Sequence, residues 1–234
     1  MTDSPQPTAV FGAEQAAGYD QQFARLAPVR DALQLVARLA LSDLPPDARV
    51  LCVGAGTGLE LLDLALAFPG WRLTAVEPSA PMLAICRQKV EASGLAGRCT
   101  LHEGYLDSLP PQPPFDAATA LLVSHFMVRP DARRDFFAQI AARLRPGGAL
   151  VSADLAIGAS PGGFERLFEV WARAMGHAGV TPERVAAMRA SYGRDVAVVA
   201  PGEVERLIAD AGFEPPVQCF QALMIHGWCT TRSR

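Results

Sequence analysis

Lysine is almost absent from this sequence: Lys89 is the one lysine among 21 basic residues, and the others are arginine. No window forms a basic arm, and 24 acidic residues against those 21 leave a net charge of −3. A broad polyanion-binding face is therefore disfavoured, and no nucleic-acid partner is expected. Cysteine is sparse as well. Cys52, Cys86, Cys99, Cys219 and Cys229 are odd in number and scattered, with no CxxC pair and no histidine at ligand spacing, so neither a zinc site nor a disulfide framework is expected and no metal ligand is assigned. A long apolar run is also missing. The most apolar stretch, Ala117 to Val128, contains Ser124 and His125 and is too short to span a bilayer. The first thirty residues show neither a basic n-region nor an apolar h-region. The expectation is a soluble, cytoplasmic chain with reduced cysteines and no membrane partner.

What is present is an average globular composition, 50% hydrophobic and 19% charged, in 234 residues, enough for a single α/β domain with an added cap. Met1 to Thr8 reads as a frayed polar terminus. Helical patterns follow at Ala13 to Leu26 and Val29 to Leu41, within an N-terminal segment, residues 8–44, expected to cover the site. From Arg49 onward apolar runs alternate with helical patterns. Strands are expected at Arg49–Val53, Arg72–Val76, Cys99–His102, Asp116–Val123 and Ala149–Asp154, with helices at Leu59–Ala67, Ala80–Ala92 and Ala132–Leu144 between them. Strict alternation implies crossover connections and a parallel sheet covered on both faces. After Asp154 the alternation stops, and residues 158–200, with helical patterns at Gly163–Met175 and Pro182–Ala190, read as a helical cap on the sheet's carboxyl edge. It resumes with a helix at Glu203–Ala211 and strands near Val217–Gln221 and Leu223–Thr230.

The sharpest local signal is Val53-Gly54-Ala55-Gly56-Thr57-Gly58-Leu59, a buried strand that runs through alternate glycines straight into a helix. Gly54 permits a tight turn, Gly56 lets a ligand approach the backbone, and Gly58 allows close helix–strand packing. Glu77 ends the second strand about twenty residues further on, where an acid can accept hydrogen bonds from both ribose hydroxyls of an adenosine ligand. Ser79 is the better cap for the helix at Ala80. Leu59 stands where a dinucleotide fingerprint has its third glycine, which argues against a pyrophosphate guest and a nicotinamide cofactor.

In order and spacing, Gly54 to Gly58, Val76-Glu77-Pro78-Ser79 with Met82, Glu103-Gly104-Tyr105, Phe115-Asp116-Ala117 and Leu144-Arg145-Pro146-Gly147-Gly148 resemble the motifs of class I S-adenosylmethionine-dependent methyltransferases. The resemblance implies a seven-stranded, mostly parallel Rossmann-like sheet with helices on both faces and an antiparallel last strand. It also implies S-adenosylmethionine as cofactor. Gly54, Ala55 and Gly56 would lie under its methionine part, Glu77 and Pro78 at the ribose, Met82, Gly104, Tyr105 and Leu106 around the adenine, and Leu121 at the fourth motif. Tyr105 replaces the acid common in the third motif, leaving the adenine to backbone groups or Glu103. A shorter likeness, through Tyr19, Arg189 and the tail from Ala211 to Gln221, is to the carboxy-S-adenosylmethionine synthase branch. There Tyr19 and Arg189 would hold ligand carboxylates, although Leu121 departs from that branch's asparagine.

Methyl transfer from a sulfonium needs in-line approach and exclusion of water more than acid–base help. A protonated acceptor still needs a base, and His125, just past the fourth strand, is the candidate. His102, His177 and His226 read as packing histidines, and Asp154 either faces the pocket or bonds a loop. No nucleophile elbow is present. The reading is a methyltransferase acting on a small-molecule acceptor. A carboxylated-cofactor synthase and a non-catalytic cofactor-binding protein are the alternatives, and a homodimer is compatible with the sequence.

Overall fold

Near-continuous apolar strands demand cover on both faces, and the computed structural model, which describes residues 12–158 and 162–234, provides it. Strands β1 (Arg49–Val53), β2 (Arg72–Glu77), β3 (Cys99–Glu103), β4 (Phe115–Leu121) and β5 (Leu144–Leu155) are mutually parallel, and β6 (Val217–Ala222) with β7 (Ile225–Thr231) closes the sheet as a hairpin. The strand order is β3-β2-β1-β4-β5-β7-β6, and β7 is antiparallel to both its neighbours. The order reverses between β1 and β4, so a crevice opens outside their carboxyl ends, the place where ligands bind in such sheets.

The helices are α1 (Ala13–Phe23), α2 (Ala27–Ala40), α3 (Leu59–Ala67), α4 (Ala80–Ala92), α5 (Pro130–Arg143), α6 (Gly163–His177), α7 (Pro182–Ser191) and α8 (Pro201–Asp210). Alternation along β1 assigns them to faces. Val50 and Cys52 pack with Ala37, Leu61, Leu64 and Leu83 from α2 to α4, while Leu51 and Val53 pack with Phe136, Phe137, Ile140 and Ile208 from α5 and α8. Each such buried leucine or phenylalanine contributes roughly 1.5–3 kcal/mol. A third cluster joins Phe168, Trp171 and Met175 of α6 to Leu155, Met224 and Ile225 at the carboxyl end of the sheet.

Several boundaries differ from the sequence expectation. The first helix ends at Phe23, a 3-10 turn takes Ala24–Leu26, and Pro28 starts α2 in its first turn. β4 stops at Leu121, not Val123, because Leu122 has a left-handed φ of +63°, and β7 starts at Ile225, not Leu223, because Leu223 has φ +54°. β5 starts early, at Leu144, which pairs with Phe115 across an irregularity in register. The expected frayed terminus Met1 to Thr8, the start of the 8–44 segment, and residues 159–161 of the cap insert lie outside the described residues. Cys219 Sγ and Cys229 Sγ stand 2.8 Å apart across β6 and β7, both as free thiols. Among the described residues, no helix is long and apolar enough to cross a membrane, and no group of three or more His, Cys, Asp or Glu side chains is placed to hold a metal ion.

Candidate active site

β1 turns through Gly54 to Gly58 into α3. Gly56 and Gly58 have φ of +54° and +84°, values that side chains rarely adopt. A Cβ at Gly58 would lie 2.5 Å from Cys86 Sγ, so the close approach it permits is to α4 and not to the strand. A Cβ at Gly56 would meet nothing within 4 Å, which leaves open space beside the loop. Glu77, 7% exposed, clasps the same loop: Oε2 accepts from Gly56 N and Oε1 from Ser79 N, each at 2.8 Å. Burial pushes the Glu77 carboxyl up, and those two N–H groups pull against it. Ser79 caps α4 as expected, its Oγ accepting from Met82 N, and the Met82 side chain is buried.

Two cavities open at this edge of the sheet. The larger, about 600 Å³, is bordered by Tyr19, Gly54, Ala55, Gly56, Leu121 and His125, together with apolar side chains of α2 and α6. The smaller, about 240 Å³, is bordered by Pro78, Gly104, Tyr105 and Leu106. Gly54 and Phe126 border both, so the cavities adjoin across the glycine loop. Neither Glu77 nor Met82 borders either of these two cavities. Next to Tyr19, Asp20 ties α1 down: its Oδ1 accepts from Thr57 Oγ1 at 2.7 Å, and its other oxygen pairs with Lys89 of α4. The lone lysine thus has a fixed structural role. Burial, then the charges of Asp20 and Glu77, raise the Tyr19 hydroxyl above its ordinary value.

His125 follows β4 in a 3-10 turn and is 4% exposed. Asp154, fully buried at the end of β5, resolves the two readings open to it by bonding this turn. It accepts from His125 N at 2.9 Å, from His125 Nδ1 at 3.0 Å and from Ser124 Oγ at 2.6 Å. Arg133 of α5, 1% exposed, donates from Nε to Ser124 Oγ at 2.7 Å and places Nη2 3.3 Å from Asp154 Oδ2. Burial alone would raise the Asp154 carboxyl, but the Arg133 charge and the bonds from His125 and Ser124 outweigh it and hold the group below the usual carboxylate range. Asp154 is therefore ionised at neutral pH and can only accept, so Nδ1 carries the proton and Nε2 is the basic nitrogen. Of the other histidines, His102 Nε2 lies 2.9 Å from Ser108 Oγ and His226 stacks on Trp228, but His177, expected to pack, is exposed at the end of α6.

Arg189 does not join the site. Its guanidinium binds both oxygens of Glu165 at 2.6 Å and lies over the rings of Phe164 and Phe168, and the larger cavity is instead bordered by its neighbours Met188 and Tyr192. Of the two residues carrying the synthase likeness, only Tyr19 reaches the cavity.

Glu60 borders the larger cavity and escaped sequence reasoning, because an acid in the first turn of a helix reads as a surface residue favoured by the helix dipole. Its side chain keeps some contact with cavity space, but Oε1 is sealed. Burial pushes its carboxyl up to about 7, with the nearby Thr119 hydroxyl pulling down and Asp63 pushing up. A carboxyl raised on folding contributes stability that is complete below its unfolded value and lost as pH rises through about 7. Glu60→Gln is therefore expected to melt with the wild type at pH 4 and above it at pH 8.5, by at most roughly 3 kcal/mol of stability. Equal melting temperatures at both values would show that the carboxyl is solvated.

Residues 50–148 match a protein family described as a methyltransferase domain. An uncharacterized protein of Synechococcus sp. is 33% identical over 103 residues, which is 44% of this chain and 24% of that protein, so this chain spans about a quarter of the curated relative's length. Among solved structures, the apo form of the S-adenosylmethionine-dependent methyltransferase SibL superimposes with a TM-score of 0.61 at 18% identity, over 88% of this chain and 54% of that one. An O-methyltransferase family 2 protein from Planctomyces limnophilus, in complex with apigenin, gives 0.62 at 19% identity over 95% and 62%. The N-methyltransferase NodS from Bradyrhizobium japonicum, in complex with S-adenosylhomocysteine, gives 0.60 at 15% over 88% and 87%.

Proposed function

We propose that this chain, whose residues 50–148 match a methyltransferase domain, transfers the methyl group of S-adenosylmethionine to a small-molecule acceptor by direct in-line displacement. One observation carries the reading: a glycine loop clasped by a buried acid adjoins a cavity of about 600 Å³ that contains a histidine oriented by an ionised aspartate. When bound, S-adenosylmethionine supplies an already activated methyl group. Gly54, Ala55 and Gly56 seat its methionine part, Glu77 and Pro78 its ribose, and Gly104, Tyr105 and Leu106 the adenine, with the buried Met82 supporting that end and Tyr19 and Leu121 over the remainder. The open space at Gly56 and the adjoining cavities fit a ligand with two such halves.

Leu33, Trp171 and Met175 border the larger cavity, so its apolar wall excludes water and suits an acceptor with an apolar body. His125 Nε2 removes the proton of an acceptor O–H or N–H, while Asp154 fixes the tautomer and stabilises the resulting imidazolium. The neighbours' own ligands, S-adenosylhomocysteine and apigenin, are compatible with this division of the site.

Calorimetric binding of S-adenosylhomocysteine tests the cofactor half. Glu77→Ala is expected to weaken it about 100-fold, the equivalent of losing charge-assisted hydrogen bonds and the clasp on the loop. Unchanged affinity would remove the ribose role from Glu77.

A further inference from the structure

We propose that Glu60 is the seat of a ligand ammonium group within the larger cavity, a subsite that rests on the methyltransferase reading but is decided separately from it. Glu60 stands two residues beyond Gly58 and borders the same cavity as Gly54 to Thr57. Its Oε1 is buried with no partner within hydrogen-bond distance, and the one polar neighbour that favours the ionised carboxyl, the Thr119 hydroxyl, pulls it down without coming that close. A buried carboxylate without a partner is costly, and a donor supplied by a ligand removes that cost.

No described protein cation fills this role. On α3 itself the neighbouring charge is Asp63, which Arg38 of α2 engages at 3.2 Å. Arg30, also on α2 and on the cavity wall, is held at 2.8 Å by Asp31. From the sheet, Cys52 of β1 feels the Glu60 charge, and burial pushes its thiol well above the ordinary value, so it stays neutral. Thr119 of β4 completes the surroundings. Helix-dipole stabilisation explains an acid in this turn, but that role works at the surface and gives no reason to seal an unpartnered oxygen against a cavity.

An ammonium suits the site on two counts: it carries three donors and a full positive charge. It could belong to the amino-acid end of the cofactor or to an amine on the acceptor, and binding measurements separate the two sources. Wild type and Glu60→Gln are titrated with S-adenosylhomocysteine, which carries the ammonium, with 5′-methylthioadenosine, which lacks the amino-acid portion, and with phenethylamine in the presence of 5′-methylthioadenosine. Loss of about 10- to 100-fold in S-adenosylhomocysteine affinity, with 5′-methylthioadenosine unchanged, assigns the cofactor's ammonium. Loss confined to phenethylamine assigns the acceptor's. Equal affinities of the two proteins for all three probes overturn the proposal. A readout in the wild type alone guards against a variant that folds poorly: pairing with an ammonium favours the ionised carboxyl, so binding of the effective probe at pH 7 should release about half a proton, seen as a dependence of the heat on buffer ionisation. No release from any probe counts against the seat as firmly as an unaffected variant does. If the wild type binds neither nucleoside, the methyltransferase reading fails, and phenethylamine alone, titrated into both proteins, still decides the role of Glu60.

Discussion

His125→Asn should lower the rate of methyl transfer by about 10²- to 10⁴-fold, the usual contribution of a positioned general base, while S-adenosylhomocysteine binds as in the wild type. The asymmetry follows from where His125 stands. It borders the larger cavity but contributes nothing to the loop that Glu77 clasps, so its loss removes proton transfer and leaves the cofactor half intact. Asn keeps a donor that can reach Asp154, which limits collateral disorder in the turn. The measurement is single-turnover methylation of whichever phenol from a panel the wild type accepts, run alongside calorimetry. A rate within threefold of the wild type would show that the acceptor loses its proton without His125 and that the histidine is structural.

Asp154→Ala is expected to destabilise the fold by about 3–5 kcal/mol, the cost of stranding a buried charge. Arg133 is 1% exposed, and neither Nη1 nor Nη2 has a hydrogen-bond partner, so the nearby Asp154 carboxylate supplies its principal compensation. Removing the carboxylate also releases Ser124 Oγ and two groups of His125. Because the folded state holds the Asp154 carboxyl below its ordinary value, this stability is present above the unfolded value and is lost as pH falls through the folded one. The gap between wild type and variant in urea unfolding should therefore close below the carboxylate range. The double variant Asp154→Leu with Arg133→Met should recover much of the loss, since an apolar pair strands no charge. A deficit below 1 kcal/mol in the single variant would mean that the pair is hydrated.

The parts of this molecule that the sequence displayed are those where one local rule dictates one structure. A buried strand running through alternate glycines into a helix has few other solutions, and Glu77 stands at the end of the next strand because the crossover length is fixed. The parallel pairing of β1 to β5 follows from the same alternation, whereas the antiparallel last strand rests on the family resemblance alone. Less was visible where a long-range partner decides. Arg133 and Arg134 are adjacent in α5 and indistinguishable in pattern, yet the first is buried against Asp154 and the second binds Asp135 at the surface. Glu60 resembles any acid in a first helical turn until the cavity beside it is known. Arg189 has the chemistry of a carboxylate clamp, and Glu165, twenty-four residues away, already uses it. The end of β4 and the start of β7 are hidden in the sequence because the left-handed turns there fall on leucines, which give no warning.

Those two leucines, 122 and 223, are the only residues other than glycine with a left-handed backbone among the described residues, and both border the larger cavity. An L-residue in that conformation carries about 1–2 kcal/mol of strain, so the pair together stores roughly 2–4 kcal/mol. Against a typical domain stability of about 5–15 kcal/mol, that is a large fraction, and it is concentrated where the acceptor would bind. The cavity's contour is thus maintained by the paired strands around it at the expense of thermal reserve. A lineage that changed acceptors by reshaping this wall would have that stored strain to release, and could gain robustness in the same step as new specificity.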